Sequence, residues 1–546
     1  MDQMRFKIMH GFWKKYVWKY KANWIVAFCL NVVFFAVSAI IPFVFKGVID
    51  SFTIYDSIIN PWILAFIIIE GLQIILLYSK GYACRLLELK VKKDIKTQMY
   101  SKFFTASYLT SNKIKPGEAI QRITSDAAST GPLIVESFSE LVGHLILVTI
   151  TVVLMFVLSP HLAISSVFFI IIYSIGYKRY QKNAPILAND RQKANANFIA
   201  TLEEGLDANY SVRVQGSYRS ILDIFNKSID EFLAKSFKFY KYNLKFQGVF
   251  SSLISYATSV TVILLGAWLF SRGLTTIGTI VAFSQYINWL VVFVNFMSNY
   301  ATQIEPSIVS LNRVEEILNW ESQLKFEEDV KGKEKINNLA QNAIEIRNLD
   351  FSFKDVNIFN KLNLSIPTGK ITFIKGVSGR GKSSLLNILL KLYPVEEGKV
   401  FINGIDINSL DEGDIMGLIS VVEQEPKFFG NDISDCFSTF DNFSLNDLKS
   451  KAKKLGLDKV LDKILKSTNK GKLKDLSGGE RKRLGILRGL SRETPIIVMD
   501  EPTAFIDDKT ARSILTNAIK LYPNKTFIII THDSSIEDLA DLVIEI

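Results

Sequence analysis

Gly376-Val377-Ser378-Gly379-Arg380-Gly381-Lys382-Ser383-Ser384 follows the apolar run Ile371 to Lys375 and precedes Leu385 to Leu392, so a glycine-rich turn stands between a strand pattern and a helix pattern. Glycines in such a turn let successive backbone N–H groups point inward around phosphate oxygens. Lys382 adds a point charge, and the Ser383 hydroxyl suits a hard divalent cation. Short matches of this kind arise by chance, but chance matches seldom have the strand before and the helix after. The context therefore predicts a P-loop α/β unit in the C-terminal part of the chain.

Working outward, Pro495 to Asp500 is a fully apolar strand ending in a carboxylate, which is expected to orient Mg²⁺ through its water shell. Glu501 follows at once, where a carboxylate can polarise a water attacking a terminal phosphate, and is the candidate general base. His532 ends a second apolar strand, Ile528 to Thr531; ligands of open α/β sheets gather at that edge, so it is a candidate phosphate contact rather than a structural histidine. Between these strands lies Leu476-Ser477-Gly478-Gly479-Glu480. A helix opening with Ser-Gly-Gly presents a hydroxyl and bare N–H groups at its positive end, chemistry suited to a nucleotide γ-phosphate.

The first three hundred residues have a different character. The chain of 546 residues is 48% hydrophobic, with a mean hydropathy of +0.20. The apolar excess gathers in runs near Asn23 to Phe45, Pro61 to Tyr78, Ser139 to Ser159, His161 to Tyr177, Gln247 to Phe270 and Thr276 to Tyr300, each of membrane-spanning length. Core helices of soluble proteins rarely keep such uninterrupted apolarity. Arg5, Lys7, Lys14, Lys15, Lys19 and Lys21 precede the first run, and the connections after the second and fourth are also basic. The remaining loops carry little more than Lys46 and Arg272, so both termini are expected in the cytoplasm. The net charge of +10 and pI near 9.1 then reflect juxtamembrane Lys and Arg beside an anionic leaflet, and no nucleic-acid partner is called for. Cys29, Cys84 and Cys436 show neither a disulfide framework nor a metal-ligand spacing. The first run is too long for a cleavable signal and is expected to stay as an anchor.

These boundaries predict a membrane domain at 1–305 with six spans and two long cytoplasmic loops, a linker at 306–342, and a nucleotide-binding domain at 343–546. The linker opens with a charged, helix-like Ser310 to Trp320 and continues as the Lys- and Glu-rich Glu321 to Asn342. The fold class is an all-α six-helix transmembrane domain followed by an α/β P-loop domain with a helical subdomain around the Ser-Gly-Gly segment.

Together these residues resemble the ATP-binding cassette family over essentially the whole chain, in the form of a half-transporter of the exporter type with the type IV fold. The resemblance implies ATP and Mg²⁺ as ligands, with Ser378, Gly379, Arg380, Gly381, Lys382, Ser383 and Ser384 around the phosphates after Gly376. It implies Phe353 stacking on adenine, and Gln424 and Ser383 on Mg²⁺ with Asp500 acting through water. Glu501, Gln424 and His532 would serve hydrolysis, and Asp507 would communicate across a dimer. Ser477, Gly478, Gly479 and Glu480 would act on the ATP of a second half-transporter, an identical chain or a different one, in a bacterial inner membrane. Pro116 to Asp126 and Leu202 to Gly216 resemble the family's cytoplasmic loops, implying short helices near Ser111 to Gly117 and Asn209 to Ser217 that plug into the cassettes.

Departures from the family pattern also carry expectations. The signature ends in Glu480 where the family has Gln, and Ser467 to Asp475, with Lys470, Lys472 and Lys474, replaces a short acidic loop, so coupling across the interface is expected to differ. The chain stops at Ile546 after the strand Asp541 to Ile546, which predicts a weaker ATP-free contact between cassettes. In the sixth span Gln285, Asn288, Asn295 and Asn299 fall on one helical stripe, with Glu70 and Gln73 in the second span and Asn31 in the first. Such groups in a bilayer face a cavity or another helix. The stripe is read as cavity lining for an amphipathic compound or a peptide, and Glu70 as either a cavity group or a helix-helix contact. About twenty residues before the first span leave no room for a peptidase domain. The function expected is ATP-driven export. Import on an exporter-like fold, lipid flipping, and a membrane ATPase that senses or gates without transport are the alternatives.

Overall fold

The computed structural model describes residues 10–52, 61–135, 137–322, 340–353, 356–376, 381–430, 433–437, 444–467, 473 and 476–546. The chain divides into two compact units, one comprising 1–103 and 115–319, the other 104–114 and 320–546.

In the first unit all six apolar runs form helices long and apolar enough to cross a membrane. They are α1 (Lys21–Ser51), α2 (Pro61–Thr105), α3 (Ser137–Leu158), α4 (Pro160–Asp207), α5 (Tyr218–Ser271, with a π-helical stretch at Leu244–Phe250) and α6 (Ile277–Leu318). The 45 residues of α2 and 48 of α4 reach about 70 Å at 1.5 Å per residue, more than twice the hydrocarbon thickness. Their polar halves therefore project well beyond the apolar stretch. The sixth helix likewise runs through the first part of the segment expected as linker, because Leu311, Val314 and Ile317 at helical spacing bury one face; most of the rest of that linker lies outside the described residues.

Helix α1 packs against α3 and α6, and α4 against α5. Phe283, Tyr286 and Leu290 of α6 are buried with Met155, Leu162, Val262 and Leu269. Polar groups within this apolar packing bond one another, as a medium without water requires. Asn31 donates to Glu140 at 3.2 Å, Lys80 donates to the same oxygen at 3.2 Å, and Gln73 donates to Ser38 at 3.0 Å. The His144 ring lies flat on Phe296, centroids 4.0 Å apart.

Both loops contain the short helices expected, one of them displaced. The first is Tyr108–Ser111, capped by the Ser107 hydroxyl, and Pro116 opens a separate helix, Pro116–Gln121, where a continuous element was expected. Tyr108–Ser111 belongs to the second unit, where Tyr108 faces Tyr393 with centroids 6.4 Å apart and Thr105 bonds Ser322 at 3.1 Å. The second is Asn209–Gln215, ended by Gly216 in the left-handed region, with Tyr210 and Val214 exposed.

The second unit holds two sheets. An antiparallel one has the order β2-β1-β4-β5, from β1 (Asn342–Phe353), β2 (Val356–Pro367), β4 (Val400–Ile402) and β5 (Ile405–Asp406). A parallel one has the order β6-β7-β8-β3-β9, from β3 (Ile371–Lys375), β6 (Ile419–Val422), β7 (Ile496–Asp500), β8 (Thr526–Ile530) and β9 (Leu542–Glu545). Central strands of a parallel sheet are covered on both faces, which is why β7 and β8 read as unbroken apolar runs. Ile496, Val498, Ile528 and Ile530 pack with β1 and with α7 (Lys382–Leu389). Ile497, Met499, Phe527 and Ile529 pack with α8 (Leu445–Leu455), α9 (Asp458–Ser467), α10 (Gly478–Ser491) and α11 (Asp508–Leu521).

Candidate functional site

Strand order assembles the site. β6, β7, β8 and β3 are consecutive neighbours, all parallel, so the segments leaving their C-terminal ends meet at one edge. Those segments carry Gln424 after β6, Asp500 and Glu501 at the end of β7, His532 after β8, and Lys382 after β3. A cavity of about 590 Å³ opens there, lined by Ile358, Gly376, Gly381, Lys382, Ser383, Ser384, Gln424, Asp500, Glu501 and His532. Residues far apart in sequence thus converge on one space large enough for a nucleotide.

Gly381 has φ +101°, and a Cβ there would sit 2.6 Å from Ile358 and 2.8 Å from Phe359, so only glycine fits. Its carbonyl starts α7, whose first residue is Lys382. The Lys382 ammonium donates to the Gly376 carbonyl at 2.9 Å and lies 3.9 Å from Glu501. Glu501 is buried with φ +45°, held by its own N–H to the Ile530 carbonyl at 2.8 Å. His532 Nδ1 lies 2.9 Å from Glu501 Oε1, although the ring is 80% exposed, and the Thr531 hydroxyl donates to the other oxygen at 3.4 Å. Glu501 is therefore aimed by two neighbours into the cavity. Burial pushes the Asp500 carboxyl above its ordinary value, with the Lys482 charge opposing. Burial also pushes the Lys482 ammonium down to about 8, against the pull of Asp500 and Glu501.

The donors suit Mg²⁺ bound with a nucleotide. Ser383, Gln424 and Asp500 offer only oxygen-bearing side chains for a hard cation, and among the described residues no group of three or more His, Cys, Asp or Glu gathers to hold a metal by itself. Phosphate oxygens are needed to complete such a shell.

Other expected residues lie apart from the cavity. Phe353 does not line it: its ring stacks on Tyr393, centroids 5.0 Å apart, and the apolar residue at the cavity is Ile358 of β2. Nothing in the sequence marked Ile358 among the alternating aliphatics of its strand. Ser378, Gly379 and Arg380 lie outside the described residues, as do Lys470, Lys472 and Lys474 and the side chain of Asn299.

Ser477 to Glu480 forms the start of α10 as a capping box. The Glu480 N–H donates to the Ser477 hydroxyl at 3.3 Å, the Ser477 N–H donates to the Glu480 carboxylate at 3.0 Å, and Lys463 pairs with the other carboxylate oxygen. The Lys463 bond, then the Ser477 N–H, hold the Glu480 carboxyl down to about 2. Gly479 lets the backbone of Phe505 approach: a Cβ there would be 2.7 Å from the Phe505 carbonyl. Asp507 caps α11 by accepting from the Thr510 N–H at 3.0 Å, which holds its carboxyl below the usual range. None of Ser477, Gly478, Gly479, Glu480 or Asp507 lines the cavity of its own chain.

In the membrane unit, Asn31 and Gln73 bond neighbouring helices, Asn288 is exposed, Gln285 and Glu70 are half-buried, and the Asn295 side-chain oxygen is buried without a partner. The Lys80, Glu140 and His144 cluster was not marked in the sequence, because Glu140 and His144 lie one turn apart on α3 while Lys80 comes from α2.

Comparison with known proteins agrees in both halves. A profile of the ABC transporter transmembrane region matches residues 24–294, and one described as ABC transporter matches 359–504. The mouse mitochondrial ATP-binding cassette sub-family B member 10 is 26% identical over 508 residues, 89% of this chain and 68% of that protein. The putative multidrug export ATP-binding/permease protein YgaD of Bacillus subtilis (strain 168) is 23% identical over 544 residues, 97% of this chain and 93% of that one. A solved bacterial Atm1-family ABC exporter with ATP bound superimposes with a TM-score of 0.77 at 18% identity, over 96% of this chain and 93% of that chain.

Proposed function

Because the chain belongs to the ATP-binding cassette transporter family, as an integral membrane protein of the exporter type, we propose that it is an ATP-hydrolysing half-transporter. It works as a dimer, most simply of two identical chains, and exports an amphipathic small molecule or a peptide by alternating access. It resides in a bacterial cell membrane, with both termini and the cassettes in the cytoplasm.

One observation carries the dimer reading. The cavity gathers Lys382, Ser383, Gln424, Asp500, Glu501 and His532, all expected on the near side of a nucleotide, while the Ser477 hydroxyl and the N-terminal end of α10 stand outside it. A second cassette, facing the first, supplies what the cavity lacks. Lys382 leaves the Gly376 carbonyl for the phosphates, and the positive end of the partner's α10 closes over them. Ser383, Gln424 and Asp500 would hold Mg²⁺, which would supply charge neutralisation at the phosphates. Glu501, held by His532 and Thr531, accepts a proton from the attacking water. His532 keeps the carboxylate oriented as that proton arrives. Moving a resting state from about 1:99 to 99:1 in favour of the closed dimer takes about 5.5 kcal/mol of differential binding, shared by two sites.

Glu501→Gln in the full-length protein tests this reading. Nucleotide binding is retained and a closed dimer accumulates, while turnover drops by about 10²- to 10⁴-fold. Unchanged turnover removes Glu501 from the role of base. Uptake of fluorescent amphiphiles and peptides into inverted vesicles, with none into right-side-out vesicles, identifies export; the reverse result identifies import. Ligand-stimulated ATPase without flux in either orientation refutes transport.

A further inference from the structure

Lys482 is a charged side chain that the hydrolytic mechanism above does not use, and it is completely buried, with 0% exposure. It lies in α10, and its ammonium donates three hydrogen bonds, all to main-chain carbonyls: Glu423 at 2.9 Å, Gln424 at 3.2 Å and Asp500 at 2.9 Å. An ammonium has three donors, so every one is used. Burying a charge is costly unless it is fully bonded, and these bonds are of the charge-assisted kind.

The three acceptors share a property. Glu423 and Gln424 are the residues that leave β6, and Asp500 is the last residue of β7. The two strands are paired only as far as Val422 and Met499. Beyond that pair no ladder bond joins the segments, and Lys482 bridges them instead. Gln424 and Asp500, which both line the cavity, are thus held on backbones clamped to a common point. That point is itself on the helix whose first turn carries Ser477 and Gly479.

We infer that Lys482 is a positioning residue for ATP hydrolysis, fixing the Gln424 segment against the end of β7 through its three carbonyl contacts. It acts through the backbone rather than on the nucleotide, and its effect falls on the chemical step rather than on nucleotide affinity, because its three bonds go to the Glu423, Gln424 and Asp500 carbonyls and none to Gly376, Gly381 or Lys382. The inference rests on the ATPase reading above.

The test uses full-length protein in nanodiscs. Lys482→Met keeps length and removes all donors; Lys482→Gln restores two neutral donors. Leu448→Ala, in the apolar core that α8 shares with α10 and outside the residues lining the cavity, serves as a stability control. The expected result is a kcat for Lys482→Met about tenfold or more below wild type, with KM for Mg-ATP and nucleotide affinity without Mg²⁺ within about threefold. Lys482→Gln recovers about half of the logarithmic loss in kcat. Leu448→Ala, assayed well below its Tm, keeps kcat within about twofold even where it lowers Tm as much as Lys482→Met.

A Lys482→Met enzyme with unchanged kcat overturns the inference while wild-type turnover leaves the ATPase reading standing. So does a Leu448→Ala enzyme that loses as much kcat at matched Tm, or a Lys482→Gln enzyme no better than Lys482→Met. A wild-type protein without Mg²⁺-dependent turnover refutes the ATPase reading and this inference together.

Discussion

Replacing Glu480 separates two tasks performed by one carboxylate at the mouth of α10. One oxygen accepts from the Ser477 N–H at 3.0 Å, closing the capping box, and the other pairs with Lys463. Glu480→Gln keeps an acceptor for the Ser477 N–H but loses the ion pair and the favourable charge at a helix N-terminus. Glu480→Ala loses both. The Lys463 side chain is 71% exposed and the Glu480 side chain 12%, so solvent screens the pair and the Gln step is worth about 0.5–1 kcal/mol. Removing the reciprocal cap adds about 1 kcal/mol. For a unit of this size each kcal/mol moves Tm by about 2–4 °C, so Gln is expected to lower it by about 1–4 °C and Ala by about 3–8 °C.

The pH dependence has a definite sign. Glu480 is held at about 2 in the folded protein against an ordinary 4.5, so the unfolded chain takes up its proton first as pH falls. Its stabilisation is complete above about pH 5 and is lost progressively from there down towards pH 2. The Tm gap between wild type and Glu480→Gln is therefore expected to narrow between pH 6 and pH 3.5 in differential scanning fluorimetry of the full-length protein. Equal losses in the Gln and Ala variants would refute the two-task account, and a gap that widens on acidification would refute the assignment of the charge.

Gly381→Ala places a Cβ against Ile358 and Phe359 and forces a left-handed backbone on an L-residue, so nucleotide binding by fluorescence titration is expected to weaken by about tenfold or more. Retained affinity would show that the turn relaxes at little cost. Replacing Asn288 and Asn295 by Leu is expected to change substrate-stimulated ATPase more than basal ATPase, since both lie in the sixth span and neither lines the catalytic cavity; equal changes in both would argue against a cavity role. The Glu501→Gln and Lys482→Met measurements complete the set.

Legibility followed how strongly chemistry restricts residue type. Gly376 to Ser384 and the carboxylate pair Asp500-Glu501 could be read because a phosphate-facing backbone turn and a strand-end metal site admit few alternatives. The six spans could be read because hydrocarbon admits little but apolar helices. The ring that Phe353 meets was not legible, because Tyr393 comes to it from forty residues away. Ile358 carried no chemical mark at all. The displaced loop helix did leave a signal: Ser107 is a cap, and Pro116 opens a new helix rather than continuing an old one. Lys482 also left one, since Gly485, Ile486 and Gly489 follow it at the spacings of one buried stripe, where a solvated lysine does not belong.

The separation of cavity and signature within one chain has a mechanical consequence. In the proposed dimer, Gln424 serves the nucleotide bound by its own chain, while Ser477 on α10 serves the nucleotide of the other. Lys482 ties these two elements together inside one cassette, through charge-assisted bonds that tolerate little displacement. A shift of the Gln424 segment must therefore either break buried charge-assisted bonds or carry α10 with it. Carrying α10 is the lower-energy course, because breaking leaves an ammonium buried without full bonding. Each cassette then reports the state of its own site to the opposite one. In Lys482→Met the two sites should hydrolyse more independently, and a dimer with Glu501→Gln in one chain should retain closer to half of the Lys482→Met activity. The same mixed dimer built on the wild-type chain should fall well below half; equal fractions on both backgrounds would show that α10 and the Gln424 segment move separately.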